Sequence, residues 1–382
     1  MAESQAEMSS LRGASPAAAA TRGPTRRAYL DKLKVVLVVG VIVGHAFITY
    51  GDVGSWAYQE PSSNEAFRIV AALGVALGSL FVMGLFFLIA GLLTPRALAR
   101  KGPADFLQDR SLRLGLPFLA YLFVYPVVDW WGERSDISLR EYMGGHFLRL
   151  DPGPLWFVLV LLIYSAGYVA WRAVRPVDPQ PRALRIAFLV ELALLIAVGT
   201  VLVRLWFPIN SNQVFALHLW QWPQCIGLFV LGISCGENGW LDPVGDSLRR
   251  SAGVLATTAM IVVIAAFAVS KDSLDPFAGG LAWQALLTAT CEAVIAVALS
   301  IWLLGHFQRR HDHVGRLGNA MGRAAFGAYV LQAPVLVVIA VSASALAVAP
   351  EVKFFAVASA AVAGSFGLAW LLTRLPLVNR VL

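Results

Sequence analysis

Ten apolar stretches run through the sequence, at 34–51, 67–94, 114–131, 153–171, 186–207, 219–236, 251–269, 282–304, 324–342 and 354–373. A helix rises about 1.5 Å per residue, so about 20 residues cross a hydrocarbon layer of about 30 Å. Inside lipid the backbone must satisfy its own hydrogen bonds, which favours a helix for each stretch. Composition agrees: 58% of the 382 residues are AVILMFWYC and 14% are charged, against about 25% charged in a soluble domain. Mean hydropathy is +0.69. These values exclude a secreted disulfide scaffold, a disordered chain and a nucleic-acid-binding module. They predict an all-α polytopic transmembrane helix bundle of about ten spans, with the lipid bilayer as its partner.

The net charge of +7 fits the excess of Lys and Arg in cytoplasmic loops. With the N-terminus inside, 23 of the 30 Lys and Arg fall in inside segments and five in outside loops; Arg68 and Arg204 lie within spans. The bias predicts N-in, C-in topology and a multi-pass protein of the cell (inner or plasma) membrane. An extra short or re-entrant helix near 132–152 or 208–218 is compatible with it. Residues 1–27 contain no apolar run longer than Ala17–Ala20, too short for a signal-peptide core. They read as a disordered cytoplasmic tail before a membrane domain at 28–380. Cys225, Cys235 and Cys291 lie in apolar stretches without CxxC spacing, so they read as small buried hydrophobes.

Few polar residues interrupt the spans. Lys34 and His45 are 11 residues apart, almost three helical turns, so both project from one face about 16 Å apart along the axis. Lys34 stands at the cytoplasmic edge, with Asp31 one turn before it and able to pair with it. His45 is therefore deep in the first span, where a titratable group is a functional candidate. Imidazole takes a proton from a hydroxyl near neutral pH. Arg110 and Arg113, spaced i and i+3, place two guanidinium forks on one helix face, which suits a phosphate-rich ligand such as coenzyme A. Ordinary inside charge accounts for them equally simply. Glu292, near the centre of its span, is a candidate for orienting His45, for holding an acceptor hydroxyl or for pairing with Arg204. Gln221, Gln224 and Gln332 are further intramembrane polar residues. Trp156 opens the fourth span as an interfacial residue or as a wall for a sugar ring. His311-Asp312-His313 has the look of a metal pair, but Arg309, Arg310 and Arg316 surround it and disfavour a cation, so no metal is assigned. There is no P-loop, GxSxG elbow or His-x4-Asp pattern.

Taken together these residues resemble the acyltransferase 3 family of integral membrane acyltransferases. Leu30-Asp31-x-Leu33-Lys34 followed by His45 resembles its basic-x10-His motif. Phe86 to Gly91 resembles its FF-L-x-S/A-G stretch, Arg110-x-x-Arg113 with Pro117 its RxxR loop, and Leu155-Trp156-Phe157 its LWF stretch. Leu231-Gly232-Ile233 with Gly236 to Leu241 is similar to glucan biosynthesis protein C-like members, which succinylate periplasmic glucans. Phe326-Gly327-x-Tyr329-x-Leu331-Gln332 resembles the late Y-x-L-H motif, with Gln332 where histidine is usual. The resemblance implies acyl-CoA as cytoplasmic co-substrate and a hydroxyl acceptor on a sugar, glycan or small molecule. It implies His45 as general base, Lys34 and Asp31 as supporting catalytic residues, and Arg110 and Arg113 on the donor; Trp156 and Glu292 stand beside these as the candidates for the acceptor. An acyl-histidine intermediate is an alternative to direct transfer. A transporter or flippase without acyl chemistry is the rival class. It calls for paired broken helices in two matching halves, and no such repeat is evident.

Overall fold

The computed structural model describes residues 28–376 apart from 135, 150, 177–183, 210, 212–213, 242, 271–274 and 311–314, together with residues 378 and 381. The expected 1–27 tail and the His311-Asp312-His313 cluster lie outside the described residues. Regular structure among the described residues is entirely helical: α1 Ala28–Tyr50, α2 Glu65–Ser79, α3 Val82–Lys101, α4 Pro103–Arg110, α5 Leu116–Glu133, α6 Leu139–Arg149, α7 Trp156–Val174, α8 Ile186–Arg204, α9 Trp222–Asn238, α10 Asp246–Val269, α11 Trp283–Arg310, α12 Arg316–Ala343 and α13 Pro350–Leu372. Proline opens α4, α9 and α13 within their first two positions, where its missing N–H is no loss.

Among the described residues, nine helical stretches are long and apolar enough to cross a membrane, with Glu65–Lys101 as one of them. The chain is a multi-pass membrane protein. The stretch read at 219–236 forms a 3-10 turn, Leu219–Gln221, running into the 17 residues of α9. It falls just short of that length measure, yet α9 makes the most extensive helix contact of the bundle, against α3. Gly91 on α3 and Gly232 on α9 create that contact. A Cβ on either would run into the backbone of the other helix, at Phe229 and Leu88 respectively. Small residues let membrane helices approach in this way where apolar burial gives no preference for protein over lipid.

The second span is broken in mid-course. α2 ends at Ser79 and α3 begins at Val82, with Phe81 at φ −148°, ψ −26° between them. A helix break inside a membrane leaves carbonyls that water cannot satisfy. Two glutamines at the start of α9 supply the donors: Gln221 Nε2 donates to Ser79 O at 3.1 Å, and Gln224 Nε2 donates to Leu80 O. The extra helix expected near 132–152 is α6, and 214–216 is a 3-10 turn.

α1 runs between two apolar clusters. Tyr29, Leu30, Leu33 and Leu37 join α3, α8, α9 and α11 in one. Val38, Ile42, Ala46 and Tyr50 join α5, α7, α12 and α13 in the other. The start of α1 and the ends of α9 and α11 meet at one end of the bundle, where Gln308 bonds Tyr29 Oη and Leu241 O. That end, here called the basic end, carries Lys34, Arg110 and Arg172. At the far end, the 51–64 loop after α1 is strapped to α13 by Lys353–Glu60 at 2.7 Å and Ser62–Glu351 at 2.6 Å.

Candidate functional site

His45 stands on α1 one turn before the far end. Its Nδ1 lies 2.9 Å from Gln332 Oε1 on α12. A carbonyl oxygen accepts only, so Nδ1 carries the hydrogen and donates. The lone pair is then on Nε2, the nitrogen free for chemistry. Gln332, at the position where the resemblance leads one to expect histidine, is thus the residue that orients the His45 ring. Trp56, from the 51–64 loop, stacks on the imidazole with ring centroids 4.3 Å apart and planes 17° apart. The Lys353–Glu60 and Ser62–Glu351 straps hold that loop in place. The indole Nε1 of Trp56 and Nε2 of Gln332 are buried without hydrogen-bond partners among the described residues. Two N–H donors beside a histidine fit a bound oxygen atom better than a closed core.

Sequence reasoning found His45 and named Gln332 without a role. It missed Trp56, for a tryptophan in a connecting loop carries no sign of which side chain it will cover. It also missed His218. That residue sits in the connection between α8 and α9, with its ring 5.1 Å from the ring of Trp156 and within electrostatic reach of His45. Burial holds the His218 imidazole below its ordinary pKa, against the opposing pull of Asp151. Trp156 is only 6% exposed and also meets Phe87, so it faces the interior of the bundle rather than the lipid boundary.

The remaining sequence candidates divide. Lys34 and Asp31 form an ion pair at 2.7 Å at the basic end of α1. Glu292 goes to Arg204, with Oε2 to Nη2 at 2.5 Å, on the facing sides of α11 and α8. The structure thus brings Glu292 to the arginine and gives the orientation of His45 to Gln332. Arg204 also lies over the Trp220 ring at 5.4 Å.

The arginine pair is shaped by a π-helical turn, Ser111–Gly115, that joins α4 to α5. A wider turn rotates i and i+3 further apart than an α-helix does. Arg110 lies over the Phe106 ring at 5.2 Å. Arg113 reaches Asp109 at 3.1 Å, and Lys101 reaches the same carboxylate at 2.7 Å. The one-face geometry expected from spacing becomes a broader basic surface with Asp109 at its centre. Near it, a cleft of about 390 Å³ opens between α3 and α7, lined by apolar Pro95, Leu98 and Ala99 and by Arg96 and Arg172. Arg172 is tied to Glu237, which also accepts from Tyr168 Oη at 2.6 Å.

A partly buried imidazole with Nδ1 oriented by Gln332, beneath a strapped aromatic loop, suits a group-transfer step that excludes water. A family model described as an acyltransferase domain matches residues 27–374, nearly the whole chain. The chain belongs to the acyltransferase 3 family. It is an acyltransferase, and its acyl group is not an amino-acyl group. No curated protein and no solved structure matches it. Membership accounts for the common placement of the acyltransferase's motifs: the helices that carry Lys34, His45, Trp156 and Gln332 all contribute to the apolar cluster around α1.

Proposed function

We propose that this acyltransferase moves an acetyl- or succinyl-class group from cytoplasmic acyl-CoA to a hydroxyl of a sugar, glycan or similar small acceptor. It does so in the cell membrane, with both termini inside. The observation that supports the reading is the His45–Gln332 contact at 2.9 Å inside the bundle: with Oε1 accepting from Nδ1–H, Nε2 is the nitrogen that carries the lone pair. The phosphates of coenzyme A rest on the basic surface around Arg110 and Arg113, and the pantetheine arm follows the apolar cleft beside Leu98. His45 Nε2 takes the proton of the acceptor hydroxyl as its oxygen attacks the thioester carbonyl. The carbon–sulfur bond breaks, and the imidazolium returns the proton to the departing coenzyme A sulfur. Trp56 closes the far side against water. Lys34, held by Asp31, places a positive charge on the donor side of the same helix face.

The deciding experiment is thioester consumption. Purified protein should hydrolyse acetyl-CoA or succinyl-CoA slowly without acceptor, and a transporter should not. No turnover of either thioester, with or without a hydroxyl acceptor, overturns the reading.

Donor binding makes a second prediction. Arg110→Ala and Arg113→Ala should each weaken coenzyme A binding by about 1.5–3 kcal/mol, the scale of a hydrogen bond to a charged group. Dephospho-coenzyme A should lose less if the 3′-phosphate is the contact. Calorimetric titration checks this, and an unchanged affinity in the double variant returns both residues to topology charges.

Sidedness is tested by single cysteines at Ser63 and Ser247, both exposed, in a background without Cys225, Cys235 and Cys291. The 23-to-5 charge bias places Ser63 outside and Ser247 inside. An impermeant maleimide should label Ser63→Cys in intact cells and Ser247→Cys only after lysis. The reverse pattern removes the cytoplasmic donor.

A further inference from the structure

We propose that His218 is an acceptor-binding residue: its imidazole hydrogen-bonds one hydroxyl of a pyranose ring bound beside the Trp156–His218 pair, while His45 deprotonates another. This deepens the acyl-transfer reading above and rests on it. The first ground is the backbone. His218 lies in the left-handed region at φ 48°, ψ 49°, and Phe215 and Ala216 before it are left-handed as well, at φ 54° and 46°. None of the three is glycine or asparagine, so the connection holds an unfavourable conformation that the surrounding structure imposes. Such strain gathers where a side chain must be aimed.

The second ground is what the strained segment aims at. It sets the imidazole on Trp156 at 5.1 Å and near Trp220 at 6.1 Å. No hydrogen bond joins either ring nitrogen of His218 to another of the described residues. Asp151 lies within electrostatic reach of His218 and also of Tyr121 and Tyr125. Its Oδ1 accepts from Gly153 N–H at 2.7 Å. Gly153, at φ +48°, brings this turn so close to the tyrosines that a Cβ there would stand 3.2 Å from Tyr121 Oη.

The third ground is an orphan. Tyr121 is 4% exposed, and its hydroxyl has no hydrogen-bond partner among the described residues. A buried phenol without a partner is costly unless a ligand or water completes it. An aromatic pair, a carboxylate, an imidazole and a phenol hydroxyl without a partner among the described residues together match a ring with an apolar face and a rim of hydroxyls. A lipid chain would leave three of these four groups unsatisfied.

The test uses the full chain in nanodiscs, away from sugar-headed detergents. Saturation-transfer NMR would follow methyl glucopyranoside, methyl galactopyranoside, methyl N-acetylglucosaminide and the linear polyol glycerol. Wild type should bind at least one pyranoside and not glycerol. His218→Ala should lose about tenfold or more of that affinity, the scale of one hydrogen bond. His218→Phe, which keeps the ring contact with Trp156 but no nitrogen, should lose as much. His218→Asn, which tolerates the left-handed backbone and keeps a donor and an acceptor, should recover most of it. In turnover with the bound glycoside, the loss should appear in KM for acceptor and not in kcat. Melting temperatures show that each variant is folded. Binding of no pyranoside by wild type, or wild-type affinity in His218→Ala, overturns the inference whatever the thioester assay shows. Failure of thioester hydrolysis in wild type that still binds pyranoside through His218 overturns the transfer chemistry and leaves this site standing.

Discussion

His45→Ala should lower kcat at least about 10²-fold while expression and melting temperature stay near wild type, because general-base help is worth about 10²–10⁴ in rate. The imidazole is partly buried, touches Gln332 and Trp56, and makes no ion pair among the described residues, so its removal costs little packing. Gln332 supplies the companion measurement. Gln332→Leu removes the acceptor for Nδ1–H, and the imidazole loses its fixed tautomer without losing its place. Turnover should fall less than in His45→Ala, and the double variant should be no worse than His45→Ala alone, since the two act as a unit. A His45→Ala protein that keeps more than a tenth of wild-type turnover would sink the general-base assignment.

The second large effect is on stability. Arg204 and Glu292 are 2% and 1% exposed and pair with one another inside the bundle. Glu292→Ala should cost about 3–5 kcal/mol, because it strands a buried guanidinium. Its Nε and Nη1 already have no hydrogen-bond partner among the described residues. The double change Arg204→Met with Glu292→Leu should restore most of the loss, since an apolar pair of similar volume avoids the desolvation of two charges. Melting in nanodiscs measures both. If Glu292→Ala melts like wild type yet stops acyl transfer, the carboxylate serves substrate instead of Arg204.

These two sites differ in how far the sequence exposes them. His45 was legible because a lone imidazole inside an apolar run is costly to keep in lipid, and its distance from Lys34 follows from helix geometry. The partner of Glu292 was one of three open possibilities, and only the packing of α11 on α8 selects it. The arginine pair shows the opposite limit. Spacing places Arg110 and Arg113 on one face only if the helix is α, and the π turn at Ser111–Gly115 changes that angle. Nothing in the composition of Ser111-Leu112-Arg113-Leu114-Gly115 announces a wider turn, because it arises where α4 and α5 join against α7.

By itself the sequence determined the helical class and the approximate number and order of spans, and it singled out His45 as the candidate for the site. Each of these follows from local periodicity, span length and the cost of polar groups in lipid. Tertiary structure alone decided three things. It broke the second span at Leu80–Phe81, and it did so where Gln221 and Gln224 from α9, more than a hundred residues on, reach the freed carbonyls. It chose Gln332 as the partner of His45, 287 positions away. It set His218 on Trp156 and Trp56 on His45, from connecting segments that have no periodicity to read. A side chain's local conformation depends on its neighbours in sequence. Its hydrogen-bond partner depends on which helices come within about 3 Å, and in a bundle of this size that is fixed by packing over the whole chain.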